Sequence, residues 1–271
     1  MTWIDKVLQH LLARFPALAR IGFLRRLYVW SRALMEAEYV EDRLITCQTP
    51  RTFMEDPAFL RAYQAGQATG SWGGSDVRWR VHVLCWAAKQ ALAIEGDFVE
   101  CGVNRGGYSK AVMDFTEFRK RGRTFFLLDT FQGMPDSYVR QQSTDDRSFY
   151  VHYTDCYDEV KARFKDDPVV LVKGIIPESL SRADVKRVAY LSIDMNFAEP
   201  EIAALEHFWP RLQVGGIVVF DDHGFRGFEA QRAAHVAFAR RHNTPILALP
   251  TGQAVLIKGA AESRWPGESL P

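Results

Sequence analysis

The sequence predicts an α/β fold built on a mostly parallel β-sheet, and three observations support this prediction. From Arg78 onward, short apolar runs alternate with patterns of helical period, as in sheets that carry helices on both faces. Three of the apolar runs end on an aspartate, at Asp129, Asp194 and Asp221. The last two runs are separated only by residues 250–253, which is too short for a crossover helix. These two strands should therefore form an antiparallel hairpin at one edge of the sheet.

The predicted elements form one alternating series after residue 76. Strands are predicted at short runs of apolar or β-branched residues, and helices where apolar residues recur every three or four positions. In chain order, the first half of the series is a helix at 78–93, a strand at 97–101, a helix at 108–118, a strand at 124–128, a helix at 158–165 and a strand at 169–172. The second half is a strand at 189–193, a helix at 200–212, a strand at 216–220, a helix at 225–241, and strands at 245–249 and 254–257. Together the strands predict a seven-stranded sheet.

Residues 1–75 do not share this alternation, and we expect them to form a helical extension to a main domain at 76–271. Apolar residues near 7–12 and 23–35 recur at helical spacing, whereas the glycine-rich residues 64–76 are typical of a loop. The extension could serve as a cap, a lid or a contact between subunits. Its apolar helices would suit a subunit interface, so we expect a homo-oligomer.

The composition limits the partners and the cellular environment. The chain has 271 residues, 47% hydrophobic and 25% charged, with a net charge of +1, so no overall field favours nucleic acid or an anionic membrane. The four cysteines show no CxxC spacing, which disfavours a zinc cluster or a disulfide framework. The first residues lack a signal-peptide pattern and no apolar run is long enough to cross a bilayer. We therefore expect a cytoplasmic protein without a transmembrane segment.

A glycine-rich turn follows the predicted strand at 97–101 and indicates a nucleoside ligand. Gly102 allows a sharp bend, and Gly106 and Gly107 allow a ligand to approach the backbone where the next helix begins. Asp129 closes the following strand about 20 residues later, where nucleotide-binding α/β folds place the acid that binds ribose hydroxyls. Glu100 would repel a pyrophosphate but suits a cationic amino group, which favours S-adenosylmethionine over NAD. The predicted cofactor-binding residues are Glu100, Cys101, Gly102, Gly106, Gly107, Tyr108, Ser109, Asp129, Thr130 and Phe131.

Three aspartates at the ends of two later strands predict a metal site. Asp194 follows one buried strand, and Asp221 and Asp222 follow the next, so all three should reach one crevice. Carboxylates held together need a positive partner, and hard divalent cations such as Mg²⁺ prefer oxygen ligands. His223 adjoins these acids and titrates near neutral pH, so it is a candidate proton acceptor. The alternative is that His223 caps the turn or binds an acid.

Four motifs occur in order along the chain: EGDFVECGVNRGG at 95–107, LLDTFQGMP at 127–135, IDMN at 193–196 and FDDHG at 220–224. Together they resemble the macrocin O-methyltransferase (TylF/MycF-like) family, over about residues 78–258. The resemblance implies a Rossmann-like class I methyltransferase fold that uses S-adenosylmethionine and Mg²⁺ to methylate sugar hydroxyls of glycosylated natural products. It also implies that Glu100, Gly102 and Asp129 hold the cofactor.

Two positions differ from the family pattern. Asn196 stands where relatives carry an aspartate thought to act as the general base, and His223 stands where they carry a tyrosine. The candidate catalytic residues are accordingly His223, Asp194 and Asn196, and the metal ligands are Asp194, Asp221 and Asp222. The acceptor is expected to be a sugar hydroxyl of a glycosylated natural product, a glycolipid or a polysaccharide precursor.

Three alternatives stay open for the aspartates and the glycine-rich turn. The first is a methyltransferase without a metal, in which Asp221 and Asp222 cap the following helix. The second is a non-catalytic subunit that binds S-adenosylmethionine, which the change to Asn196 would explain. The third is a carboxylate–metal hydrolase, and the glycine-rich turn with its ribose acid argues against it.

Overall fold

The computed structural model describes residues 37–47, 51–135 and 154–259, and five single residues, His10, Arg14, Arg26, Trp30 and Tyr138. The chain divides into two compact units, Met1–Thr52 and Phe53–Pro271. The helices predicted near 7–12 and 23–35 lie largely outside the described residues. The role predicted for residues 1–75 therefore stays a prediction. Within the described ranges, no helix is both long and apolar enough to cross a bilayer.

The first unit contains an antiparallel hairpin that the sequence patterns did not predict. Its strands are β1, Ala37–Glu41, and β2, Leu44–Cys47. The connecting residues Asp42 and Arg43 both have positive φ, at 51° and 62°, which suits the tight turn between twisted antiparallel strands. The pattern was missed because neither strand has a strong apolar alternation, and only Tyr39 is buried.

The second unit begins with two helices and continues as strands and helices in alternation. Its elements are α1 (Pro57–Gln67), α2 (Arg78–Ala91), β3 (Asp97–Cys101), α3 (Gly107–Phe115), β4 (Phe125–Asp129), α4 (Tyr157–Arg163), β5 (Val169–Lys173), β6 (Val188–Ile193), α5 (Ala198–Phe208), β7 (Leu212–Phe220), α6 (Glu229–Arg241), β8 (Ile246–Ala248) and β9 (Ala254–Ile257).

The predicted seven-stranded sheet is present, with the spatial order β5-β4-β3-β6-β7-β9-β8. Strands β3 to β7 run parallel to one another, and β9 pairs antiparallel with both β7 and β8. The chain first moves outward from β3 to β5 and then returns to place β6 on the other side of β3. Such a reversal opens a crevice at the carboxyl ends of β3 and β6, where ligands bind in open α/β sheets.

Two layers of side chains pack on the two faces of the sheet. Phe98 of β3 belongs to a cluster that includes residues of α1, α2, α3 and α4. Its neighbours Val99 and Cys101 point to the other face, where they join a cluster formed with α5 and α6. Successive strand residues alternate between faces, so β3 is buried on both sides and fixes the centre of the molecule.

Several predicted boundaries differ from the structure, and three of the differences have a clear local cause. The helix predicted at 200–212 ends at Phe208, because Pro210 has no amide hydrogen to donate, and β7 begins at Leu212. The helix predicted at 225–241 begins only at Glu229, since Gly227 has a φ of 95°. The loop predicted at 64–76 starts later, because α1 continues to Gln67.

Gly102 is the residue at which β3 ends and the glycine-rich turn begins, and its conformation excludes a side chain. Its φ is 89°, and a Cβ atom there would lie 1.8 Å from the carbonyl oxygen of Asp194. We expect Gly102→Ala to lower the free energy of unfolding by roughly 3 kcal/mol or more, because both the backbone conformation and the contact are unfavourable.

The matched control for this substitution is Gly74→Ala. Gly74 is exposed and a Cβ atom there would meet nothing within 4 Å. Thermal and urea unfolding of both variants would measure the difference. Equal stability of the two variants would show that the approach of β3 to the Asp194 loop is not as close as described.

Candidate active site

The carboxylate of Asp129 joins the glycine-rich turn to the end of β4. Its Oδ2 accepts hydrogen bonds from the backbone N–H groups of Val103 and Asn104, at 2.5 and 2.8 Å. Its Oδ1 accepts from the backbone N–H of Phe131 at 2.6 Å and lies 3.2 Å from the hydroxyl oxygen of Thr130. Asp129 therefore fixes the conformation of the glycine-rich turn. The predicted contact of Asp129 with a ribose stays a prediction.

The start of α3 is covered by a loop that sequence reasoning did not connect with the site. The backbone N–H of Gly107 donates to Ser71 Oγ at 2.9 Å, and Asn104 Nδ2 donates to the carbonyl of Ser71 at 3.4 Å. A Cβ atom on Gly107 would lie 2.8 Å from Trp72 Nε1. The described neighbour of Gly107 is therefore this loop, and that of Gly106 is the ring of Phe164, so the approach of a ligand to these two glycines stays a prediction.

Glu100 is a buried acid beside the glycine-rich turn. The hydroxyl of Ser109, in the first turn of α3, donates a hydrogen bond to Glu100 Oε2. Burial, together with the negative charges of Asp129 and Asp221, raises the pKa of Glu100 to about 8, against the hydrogen bond from Ser109. A cation placed next to Glu100 would relieve this repulsion and favour its ionised form.

The remaining predicted cofactor residues lie around these groups. Cys101 is buried at the end of β3, and its carbonyl oxygen accepts the backbone N–H of Asp194 at 2.9 Å. Thr130 donates its hydroxyl to the carbonyl of Gly133 at 2.6 Å. Phe131 is buried with a φ of 54°.

Asp194, Asp221 and Asp222 meet at the carboxyl ends of β6 and β7, as predicted. Each offers one carboxylate oxygen, and these oxygens all lie within 4.8 Å of one another. Asp221 and Asp222 are buried, and Asp194 is partly exposed. Desolvation and the charges of Asp221 and Asp222 raise the pKa of Asp194 well above its usual value, while Arg80 lowers it. Three converging carboxylates fit Mg²⁺ or another hard divalent cation as a donor set.

Asp221 is held by three side chains from distant parts of the chain. Arg80 Nη1 lies 2.6 Å from its Oδ2, and the hydroxyl of Tyr108 donates to the same oxygen at 3.4 Å. Gln253 Nε2 donates to its Oδ1 at 2.9 Å. Arg80 and Gln253 were not among the predicted site residues. Gln253 lies in the turn between β8 and β9, and nothing in the sequence marked Arg80.

His223 belongs to a buried polar network with His235 and Glu201. Its Nδ1 lies 3.3 Å from Nδ1 of His235, and Nε2 of His235 lies 2.8 Å from Glu201 Oε2. Glu201 Oε1 accepts the backbone N–H of Met195 at 3.1 Å. The network therefore links the loop after β6, which carries Asp194, to the loop after β7.

Burial keeps the members of this network uncharged near neutral pH. Burial, with a smaller contribution from His235, lowers the pKa of His223 to about 4. Burial also lowers the pKa of His235 to about 3 and raises that of Glu201 to about 8. Neutral His223 can accept a proton only as a weak base, and its catalytic role stays a prediction. Asn196 has a φ of 63°, and its Nδ2 lies 3.5 Å from Asp194 Oδ1.

Comparison with known proteins places the site within a described family. The sequence model of macrocin O-methyltransferases (TylF) matches residues 78–248. The chain is 32% identical over 162 residues to the 8-demethyl-8-(2,3-dimethoxy-alpha-L-rhamnosyl)-tetracenomycin-C 4'-O-methyltransferase of Streptomyces olivaceus, covering 53% of this chain and 60% of that protein. It is 30% identical over 142 residues to the demethyldecarbamoylnovobiocin O-methyltransferase of Streptomyces niveus, covering 48% and 53%. The match thus spans less than two thirds of either relative.

A solved structure confirms the predicted fold class. The calicheamicin methyltransferase CalS11 superposes with a TM-score of 0.56 at 21% identity, covering 79% of this chain and 98% of that chain. The matched segment at 78–248 includes the glycine-rich turn, Asp129 and the three clustered aspartates, and it is more than half of the 271 residues. The chain therefore belongs to the macrocin O-methyltransferase (TylF) family.

Proposed function

We propose that this protein is an S-adenosylmethionine- and divalent-metal-dependent O-methyltransferase that acts on a sugar hydroxyl of a glycosylated natural product, a glycolipid or a polysaccharide precursor. The observation that carries the proposal is the placement of two groups at one sheet edge. The glycine-rich turn follows β3, and the three aspartates follow β6 and β7, on the other side of the reversal in strand order. A cofactor and an acceptor bound there would be neighbours.

The cofactor half of the proposal depends on the turn and on Glu100. Gly102 and Gly106, with φ of 89° and 82°, let the chain bend sharply in the turn, and Asp129 fixes its shape through two backbone N–H groups. Glu100 is a buried acid without a cationic side chain among its described hydrogen-bond partners. S-adenosylmethionine carries both an amino group and a sulfonium, so it supplies the positive charge that this part of the site lacks.

The metal half depends on Asp194, Asp221 and Asp222, which would hold the ion. A divalent cation bound there would lower the pKa of a coordinated sugar hydroxyl and orient it toward the methyl group. The protein's own part is to hold the donor atoms close together: β6 and β7 set the separation of the two loops, and Glu201 fixes the loop of Asp194 through the Met195 N–H.

The acceptor proton requires a group other than Asn196, whose amide cannot take it near neutral pH. We propose that His223 accepts this proton, because it adjoins Asp222 in sequence and is uncharged at neutral pH. Its pKa of about 4 makes it a weak base, so the lowered pKa of the bound hydroxyl would have to make the transfer favourable.

The relatives support a sugar as the acceptor. The tetracenomycin relative is named for a 4'-O-methylation of a rhamnosyl compound. The proposed activity is tested by incubating the purified chain with S-adenosylmethionine labelled in the methyl group, Mg²⁺ and a panel of rhamnosides and nucleotide-linked deoxysugars. Methylated sugar is the expected product. Cofactor binding without transfer to any acceptor would favour the non-catalytic subunit.

The pH dependence of cofactor affinity tests the role of Glu100. A bound ammonium group favours ionised Glu100, but the free protein keeps this proton up to about pH 8. Binding at lower pH must expel the proton, so the dissociation constant for S-adenosylmethionine should fall by up to about tenfold per pH unit between pH 6.0 and 7.5. Calorimetry measures this slope below the pH at which the ligand's own amino group titrates.

Glu100→Gln is the control for this slope, because it keeps a hydrogen-bond acceptor for Ser109 and cannot ionise. We expect its affinity to be weaker and nearly independent of pH. A slope in Glu100→Gln equal to that of the unchanged protein would assign the pH dependence to another group and remove Glu100 from the proposed cofactor site.

Removal of the metal tests the second half of the proposal. We expect exhaustive chelation to abolish methyl transfer and leave S-adenosylmethionine affinity largely unchanged. Asp222→Asn removes one negative ligand and should weaken Mg²⁺ binding roughly tenfold or more, since affinity depends on the ligand charge. Asp184→Asn, at an exposed acid outside the site, is the matched control. Full turnover after chelation would instead favour the metal-independent alternative.

A further inference from the structure

Arg80, in the first turn of α2, places a positive charge inside the cluster of aspartates. Its Nη1 lies 2.6 Å from Asp221 Oδ2, and the side chains of Arg80 and Asp221 are only 17% and 4% exposed. The two residues are 141 positions apart in the sequence, so this contact is made only by the fold.

The surroundings of Arg80 hold it in this position. Its guanidinium lies over the ring of Phe225, with 5.6 Å between the guanidinium carbon and the ring centre. Gln253 Nε2 lies 3.5 Å from the carbonyl oxygen of Arg80 and donates to Asp221 Oδ1 at 2.9 Å. Packing on the ring favours one orientation of the guanidinium, and the Gln253 amide connects Asp221 to the backbone from which Arg80 extends.

Both carboxylate oxygens of Asp221 are therefore engaged by protein donors. Oδ2 lies against Arg80 and Tyr108, and Oδ1 accepts from Gln253. A divalent cation that uses Asp221 as a ligand has to share its oxygens with these groups or displace them. Among these three donors, only Arg80 is charged. It therefore opposes a cation both by electrostatic repulsion and by occupying an oxygen of Asp221.

We propose that Arg80 is a built-in counter-ion of the aspartate cluster, which neutralises Asp221 in the metal-free protein and lowers the affinity of the cluster for a divalent cation. This inference rests on the proposed metal site and adds to it a residue that sets how tightly the ion is held. Arg80 acts on the ion through Asp221 and by its charge, so it is a positioning residue and not a catalytic one.

The inference predicts an unusual direction of change, because removing a side chain should improve binding. Mg²⁺ affinity is measured by calorimetry on the full chain, without acceptor, for the unchanged protein and for Arg80→Met, Arg80→Gln and Arg80→Lys. We expect the two neutral variants to bind Mg²⁺ about tenfold more tightly or better, since a charge a few ångströms from the ion is removed. Arg80→Lys keeps the charge and should bind within about threefold of the unchanged protein.

Thermal unfolding supplies an independent readout. Without Mg²⁺, Arg80→Met should melt at a lower temperature than the unchanged protein, because the buried Asp221 loses its partner. Saturating Mg²⁺ should then raise the melting temperature of Arg80→Met more than that of the unchanged protein. Arg80→Gln keeps a hydrogen-bond donor for Asp221 and serves if Arg80→Met does not fold.

Arg123→Met is the control for a general loss of stability. Arg123 is a partly buried arginine that donates to the carbonyl oxygens of Ala91, Leu92 and Gly96. None of these three residues belongs to the aspartate cluster. Its replacement should lower the melting temperature and leave Mg²⁺ affinity unchanged.

Two failures can be told apart. If the unchanged protein binds Mg²⁺ and the neutral Arg80 variants bind it equally or more weakly, the counter-ion inference is wrong and the metal site stands. If neither the unchanged protein nor any Arg80 variant binds Mg²⁺ or gains thermal stability from it, the proposed metal site is wrong and the inference fails with it.

Discussion

Glu100, Asp194 and Asp221 come from three neighbouring strands at the same edge of the sheet, and their mutual repulsion is the constraint that the surrounding structure has to satisfy. The parallel pairing of β3, β6 and β7 brings the strand ends together, so the acids cannot move apart without breaking the sheet. The raised pKa values of Glu100 and Asp194 report this crowding together with burial. The binding of a cation at this edge of the sheet is therefore electrostatically favourable.

Three acids in this region are stabilised in three different ways. Asp129 is surrounded by backbone N–H groups, which stabilise a carboxylate without a counter-ion. Glu201 retains its proton to about pH 8 beside neutral His235, so a buried charge is avoided. Asp221 is paired with Arg80. Glu100 and Asp194 have no comparable partner among the described contacts, and the proposed cofactor and metal would each bring positive charge to one of them.

The sheet and the acids at its edge could be predicted from the sequence, because both follow from short-range patterns. β3 was predicted at its observed limits, and the final hairpin follows from the short connection at 250–253. Arg80, Ser71 and His235 could not be found in this way. Each reaches the site from an element that is distant in sequence, and a helical period does not specify which side chain of a buried face will meet an acid. The apolar pattern alone extended the predicted helix α5 past Pro210. Its end at Phe208 follows only when the missing amide hydrogen of that proline is taken into account.

The electrostatics of this edge also constrain where catalysis can come from. In the proposed reaction the sulfonium is positive before transfer and neutral after it, so nearby carboxylates attract the cofactor most strongly in its ground state. Such attraction improves cofactor binding but does not by itself stabilise the transition state. The rate must therefore depend on the alignment of the acceptor oxygen with the methyl group and on lowering the pKa of that oxygen. In the proposed mechanism both tasks would fall to the loops of Asp194 and Asp221, which are held by the buried network of Glu201 and by the contact between Arg80 and Asp221.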